Sequence, residues 1–305
     1  MTTYLGLPSH PPDVADIVVL PVPYELTTSY RTGTEEGPLA CLVASAQVET
    51  YHPPTRTDLE GFRFHTAASW ASDRGTLVEQ LSDMSRWFAS WFQHSGFPLI
   101  LGGEHGILPA IVRAWMETPP GRPLERLTIV QIDAHADLRE DLDGERHSHA
   151  CAAARALDAG ATDLLQVGIR AFSMQEHERI ESDARISTWF ARDLFAPSSN
   201  GAGWRSWLEA LKAVEGPVHL TIDVDGLCPS LVPGTGTPVP GGLAYWHAVE
   251  TIQAIFSAPR ANVISADLNE IAPEADGVLT AFTAASLAAE ITACHLAHGR
   301  TLRES

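Results

Sequence analysis

Cysteine is scarce and scattered. Only four occur in 305 residues, Cys41, Cys151, Cys228 and Cys294, and none has the spacing of a zinc-binding or disulfide framework. Their scarcity argues against a disulfide-stapled secreted domain and fits a reduced, cytoplasmic setting. Basic residues are also short, 20 Lys and Arg against 38 Asp and Glu, for a formal net charge of −18. That balance argues against a nucleic-acid partner, whose phosphates need neutralisation by Lys and Arg. Most of the charge serves solubility, and the remainder would steer a small cation or a metal ion. No early segment joins a basic start to an apolar run, and no apolar stretch approaches the roughly 20 residues that span a bilayer. Neither a signal peptide nor a membrane partner is expected. Composition breaks, repeats and low-complexity linkers are absent too, which predicts a single domain over residues 1–305.

What the chain does have is alternation. Apolar, β-branched runs read as strands at residues 16–23, 97–101, 127–130, 164–169, 186–190, 218–223 and 263–268. Helical patterns fall between them, near residues 39–51, 77–92, 107–116, 149–159, 204–214, 243–256 and 283–298. Thr76 and Glu79 have capping-box spacing ahead of the second of these helices. Residues 52–75 read as irregular surface loop. Strands alternating with helices predict an α/β fold, a parallel sheet covered by helices on both faces.

Acidic and imidazole side chains collect at the ends of these strands. Asp133, His135 and Asp137 follow the 127–130 run at every second position, so in extended backbone they point to one side. Asp223 and Asp225 repeat the pattern after the 218–223 run, and His105 closes the 97–101 run. Ligands in open α/β sheets bind beyond the carboxyl ends of the strands. Any one such pair is ordinarily a turn or a helix cap, but caps do not explain three at three strand ends. Four carboxylates and two imidazoles exceed the needs of one ion and suit two divalent ions with bridging carboxylates. Oxygen and nitrogen donors favour manganese or magnesium, with nickel, cobalt and zinc also compatible.

The same residues carry a family resemblance. Gly102-Gly103-Glu104-His105, Asp133-Ala134-His135-Ala136-Asp137, Ser148-His149-Ala150, Asp223-Val224-Asp225-Gly226-Leu227, Gly234-Thr235-Gly236-Thr237-Pro238 and Glu270-Ile271-Ala272-Pro273 resemble, in order, the motifs of the ureohydrolase (arginase/agmatinase) family. Pro21-Val22-Pro23-Tyr24 and Ser29-Tyr30-Arg31-Thr32-Gly33 resemble its N-terminal loop. The resemblance implies a three-layer α/β/α fold with a mostly parallel, eight-stranded sheet, of which the residue pattern alone supplies seven strands, and a homo-oligomer, trimer or hexamer. It implies two manganese ions, one held by His105, Asp133, Asp137 and Asp223, the other by Asp133, His135, Asp223 and Asp225. It further implies a hydroxide bridging the ions and oriented by Asp137, a guanidinium paired with Glu270, and a leaving amine protonated by His149. The products would be urea and an amine.

Within the family, the stretch after Asp137 is most like agmatinases, which act on a cationic guanidino substrate without a carboxylate. Arg139 leaves room for guanidinobutyrate. Guanidinopropionate, guanidine, arginine and formiminoglutamate are further alternatives. Cys228 stands where the family usually has Asp, and Gly106 where a Ser usually follows the motif histidine. A non-catalytic regulator is disfavoured because all six ligand positions, His149 and Glu270 are present. A one-zinc amide deacetylase would not need the paired carboxylates. Cys151 is two residues from His149, and side chains so spaced on a helix do not face each other, which counts against a Cys/His nucleophile.

Overall fold

Eight strands hydrogen-bond side by side, and every pairing between them is parallel. The chain is described by a computed structural model over residues 2–73, 75–117, 125–275 and 277–303. In chain order the strands are β1 Ile17–Val22, β2 Tyr51–His52, β3 Thr57–Asp58, β4 Phe64–Thr66, β5 Phe97–Gly102, β6 Thr128–Ile132, β7 Asp163–Ile169, β8 Ile186–Phe190, β9 Glu215–Asp223 and β10 Arg260–Asn269. The large sheet has the order β4-β1-β5-β10-β9-β6-β7-β8, while β2 and β3 form a small antiparallel hairpin.

Helices α1 Gly37–Ser45, α2 Leu77–Trp91, α3 Leu108–Glu117, α4 Ala152–Asp158, α5 Met174–Ser182, α6 Ala191–Phe195, α7 Ala202–Lys212 and α8 Tyr245–Phe256 lie between strands, and α9 Leu279–Arg303 follows the last of them. Successive strand side chains point to opposite faces, so β1 feeds two cores. Ile17 and Val19 join residues of α1, α7, α8 and α9, whereas Val18, Leu20 and Val22 join residues of α2 and α3. A third cluster packs α3 and α4 on β6 and β7. The result is the expected three-layer α/β/α architecture.

Three expectations need correction. Residues 52–75 are not simply irregular: they hold the end of the hairpin and β4, the eighth strand. β4 is only three residues long, on the sheet edge, too short to show a period in sequence. The first helix stops at Ser45 rather than near residue 51, and α5 and α6 are additional. Finally, α9 over Leu279–His298 is long and apolar enough to cross a membrane by length and composition, although 72% of that window is buried within the protein. Its apolar run is broken by Thr280, Thr283, Ser286 and Glu290, and its burial marks a core helix.

The capping box at the start of α2 is formed as expected, with the Glu79 amide donating to Thr76 Oγ1 at 3.3 Å and the Thr76 amide to Glu79 Oε2 at 3.1 Å. Phe88 on the inner face of α2 is fully buried and stacks on Phe92 at 5.7 Å between ring centroids. Phe88→Ala is expected to destabilise the protein by about 3–5 kcal/mol, read as a lower urea midpoint at unchanged slope. A shift under about 1 kcal/mol would show that α2 is not part of the cooperative core.

Candidate active site

Strand ends set the geometry. β5, β6, β9 and β10 are neighbours in the sheet, and their carboxyl ends lead directly into the sequence-selected residues. β6 stops at Ile132 just before Asp133, β9 ends on Asp223, and β10 ends on Asn269 just before Glu270. His105 begins the turn leading into α3.

The six candidate ligands converge. His105 Nδ1 lies 3.2 Å from Asp133 Oδ2, 3.0 Å from Asp137 Oδ2 and 3.6 Å from Asp223 Oδ2. His135 Nδ1 lies 3.0 Å from Asp225 Oδ2 and 3.7 Å from Asp133 Oδ1. The ligating atoms of His105, Asp133 and Asp223 fall within 4.8 Å of one another, and so do those of Asp133, His135 and Asp225. Asp133 belongs to both groups, as a bridging ligand would.

These residues fit divalent cations. His105 Nδ1 is buried among three carboxylates yet has no hydrogen-bond partner, while the opposite ring nitrogen is engaged by Thr221 Oγ1 at 2.9 Å. Burial and then the charges of Asp225 and Asp133 push the Asp223 carboxyl well above its usual range. Burial, followed by Asp133, pushes Asp137 up to about 7. Burial opposes ionisation of Asp133 as well, but His105 and His135 together hold it below the usual carboxylate range. Burial acts against a protonated His135, yet Asp225 and Asp133 lift it to about 11. A buried cluster of like charges is expensive unless compensated, and cations at the shared carboxylates would supply the compensation.

Backbone and side-chain donors hold the carboxylates in place. Asp133 accepts from Gln131 Nε2 at 2.7 Å and from the His135 amide at 2.6 Å. Asp223 accepts from the Asp225 amide at 2.8 Å, and Asp225 accepts from the Ala134 amide at 3.1 Å. Asp137 has φ +53° and Glu270 φ +64°. Left-handed backbone at a residue other than glycine costs about 1 kcal/mol or more and recurs at functional sites.

Glu270 is buried, and its Oε1 accepts from the His105 amide at 2.7 Å. Burial, then the neighbouring Glu104, pushes its carboxyl well above the usual range. Its Oε2 faces Gly236, where a Cβ would make an ordinary contact at 3.4 Å. His149 contacts Thr27 Oγ1 through Nδ1 at 3.4 Å and Ser29 Oγ through Nε2 at 3.3 Å, and burial lowers its pKa. A cavity of about 330 Å³ is lined by Ser29, His135, Asp137, Arg139, His149 and Thr237, among others. The larger groove of about 1270 Å³ beside Leu39, Val43 and Phe282 contains none of these six residues.

Several contributors lie outside the predicted ligand and catalytic set. Glu104 is fully buried and accepts from the Leu26 and Thr27 amides at 2.8 and 2.6 Å and from the Thr27 hydroxyl. Thr27 Oγ1 in turn accepts from the His149 amide at 2.9 Å. Gly106, the departure after the motif histidine, makes room for this: a Cβ there would come within 2.8 Å of Glu104 Oε1. Cys228, the other departure, accepts from Ser230 Oγ at 3.3 Å. Arg170 donates to the backbone carbonyls of Gly168, Asp225, Gly226, Leu227 and Val239. Only its strand-end position hints at this in sequence. Cys151 is buried and its thiol is pushed up to about 11 by that burial, so it is a poor nucleophile.

Comparison with known proteins agrees with the site. The Arginase family model matches residues 15–294. The chain is 35% identical over 283 residues to N(1)-aminopropylagmatine ureohydrolase of Synechocystis sp., covering 90% of this chain and 87% of that protein. It is 32% identical over 271 residues to agmatinase of Bacillus anthracis, covering 88% of each. A crystal structure of a hypothetical agmatinase from Burkholderia thailandensis matches with TM-score 0.83 and 27% identity, over 99% of this chain and 92% of that one. The chain belongs to the arginase family, and it is a metal-dependent hydrolase of the ureohydrolase type.

Arg170→Met would strip five carbonyls of a shared donor. The variant is expected to lose at least about 2 kcal/mol of stability, measured as a lower urea midpoint. An unchanged midpoint would mean that the 225–239 turns hold themselves.

Proposed function

We propose that the protein hydrolyses a cationic guanidino compound to urea and an amine, with agmatine as the leading substrate. One observation carries this reading: two overlapping ligand groups share Asp133, and a buried carboxylate, Glu270, is tied to the same group through the amide of His105. His105, Asp133, Asp137 and Asp223 would hold one ion, and Asp133, His135, Asp223 and Asp225 the other. Manganese is the proposed metal, with nickel or cobalt as alternatives. When bound, the pair lowers the pKa of water, so that hydroxide is available near neutral pH.

The chain's own residues do the rest. Glu270 pairs with the guanidinium and sets its carbon beside the ligand groups. A positive partner restores the charged form of Glu270, which burial otherwise opposes. Asp137 accepts a hydrogen bond from the attacking hydroxide and so orients it toward the guanidinium carbon. His149, reached from the cavity, returns a proton to the departing nitrogen as the C–N bond breaks, so the amine leaves neutral. Thr27 and Ser29 keep the imidazole turned to that task.

The tail of the substrate is argued from Arg139. Its Nε lies 3.7 Å from Glu176 Oε2, so the cation lining the cavity already faces a buried carboxylate. A tail carboxylate therefore gains less there than an amine gains from the acidic surroundings. The match to an N(1)-aminopropylagmatine ureohydrolase supports a longer polyamine tail as a second reading. A reduced, cytoplasmic setting and a homo-oligomer, trimer or hexamer, complete the proposal; all four cysteines are free.

Urea release should be measured from agmatine, N1-aminopropylagmatine, arginine, guanidinobutyrate, guanidinopropionate and guanidine after loading with manganese or nickel. Agmatine or its aminopropyl derivative is expected to be fastest. Glu270→Gln should lower kcat/KM by about 100-fold or more. Asp133→Asn should lose both ions, and Asp225→Asn one, by elemental analysis after dialysis. No urea from any substrate by protein carrying two ions would sink the proposal.

A further inference from the structure

Beneath the ligands, the sheet carries a row of polar side chains in one register. Thr188 pairs with Gln166, Gln166 with Gln131, Gln131 with Thr221, and Thr221 with Asp267, across five adjacent strands. Gln131 and Thr221 each lie two residues before an aspartate ligand and so point to the same face as that ligand. Gln166, Gln131, Thr221 and Asp267 are all fully buried. So much polarity inside a parallel sheet, whose interior is ordinarily aliphatic, calls for a function.

The proton direction along this row can be read from its ends. Three donors converge on the Asp267 carboxylate: Thr221 Oγ1 at 2.6 Å, Asn269 Nδ2 at 2.6 Å and His219 Nε2 at 2.9 Å. On the far side of His219, Nδ1 meets Ser265 Oγ at 2.8 Å, and Ser265 Oγ accepts from the Trp115 indole at 2.9 Å. Having given its one proton to Asp267, the Thr221 hydroxyl can only accept from His105 Nε2, 2.9 Å away. The imidazole of His105 is thereby protonated on Nε2, which leaves Nδ1, facing Asp133, Asp137 and Asp223, as the nitrogen that a cation would take.

We propose that Thr221 and Asp267 are positioning residues that lock His105 in the Nε2–H tautomer and so set the affinity of the cation on the His105 side of the centre. His219, with Ser265 and Trp115 behind it, holds Asp267 in the orientation that takes the Thr221 proton. The same row orients Asp133 through Gln131, which Gln166 anchors at 2.8 Å. This inference rests on the two-cation reading above. It predicts that the two cations bind with unequal affinity: the His105 side is built on a pre-set tautomer, while among the described residues no hydrogen bond is found at His135 Nε2.

The test uses the full-length protein. Nitrogen-15 spectra of the wild type loaded with diamagnetic zinc, with His105 assigned by its loss in His105→Asn, should show Nε2 protonated and Nδ1 bare. Thr221→Val keeps the shape and removes the acceptor. It should weaken manganese binding at one of the two sites by about 10–100-fold in titration calorimetry and leave the other unchanged, while Thr221→Ser restores both. Wild-type binding at both sites by Thr221→Val, or a proton on Nδ1 in the wild type, would overturn the proposal. Should Thr221→Val fail to fold, the wild-type spectrum and Thr221→Ser decide it. A wild type that binds no manganese would instead remove the two-cation reading, a failure distinct from an unaltered Thr221→Val.

Discussion

Four aspartates meet in a space too small and too dry for four negative charges. Asp133, Asp137, Asp223 and Asp225 are all buried, and two imidazoles offset only part of their charge. Left to itself the cluster resolves its repulsion by holding protons, as the raised Asp137 and Asp223 carboxyls show. Cations are the other resolution, and they displace those protons. The rest of the molecule is arranged to make the second resolution available. Adjacent parallel strands bring the carboxylates to one edge, and backbone amides one or two residues away fix their free oxygens.

A cluster under that strain needs a stiff base. In an aliphatic sheet the ligand side chains would rotate to separate their charges. Here β6 and β9 each carry a polar residue two positions before a candidate aspartate ligand, and Gln131 or Thr221 ties a candidate ligand to the row. Arg170 provides the matching tie from above. By binding the carbonyls of Asp225 and Val239 together it couples the turn that holds one ligand to the segment that brings Thr237 near Asp225. A single guanidinium thus joins the ligand shell to the wall of the cavity, with carbonyl dipoles rather than a carboxylate as its partners.

Much of this was legible in sequence because the relevant signals are local. Asp-x-His-x-Asp and Asp-x-Asp advertise themselves by period-two spacing, and apolar strands just before them fix where they lie. Their convergence required only the rule that strand ends of a parallel sheet share one edge. The supporting residues gave no such signal. Gln131, Thr221 and Asp267 are ordinary polar residues until the register aligns them, and register is a long-range property. β4 escaped notice for the opposite reason, since three edge residues cannot display a period. His219 reads as a core histidine, which it is, but its partner Asp267 lies 48 residues away.

The N-terminal loop shows how a departure from a family pattern can be compensated by geometry. Residues 25–35 are held by two carboxylates, Glu25 taking the Gly33 and Glu35 amides and Glu104 the Leu26 and Thr27 amides. Gly106 has no Cβ, and one there would come within 2.8 Å of Glu104 Oε1, the oxygen that takes the Thr27 hydroxyl. Serine in that place would push the carboxylate aside, loosening Thr27 and with it the amide and ring of His149. The glycine therefore belongs to the same device as Glu104 and Thr27: it trades a hydroxyl beside the motif histidine for a buried carboxylate that fixes the loop. Because that loop brings Ser29 to the cavity wall, the exchange acts on the same cavity that His135, Asp137 and His149 line.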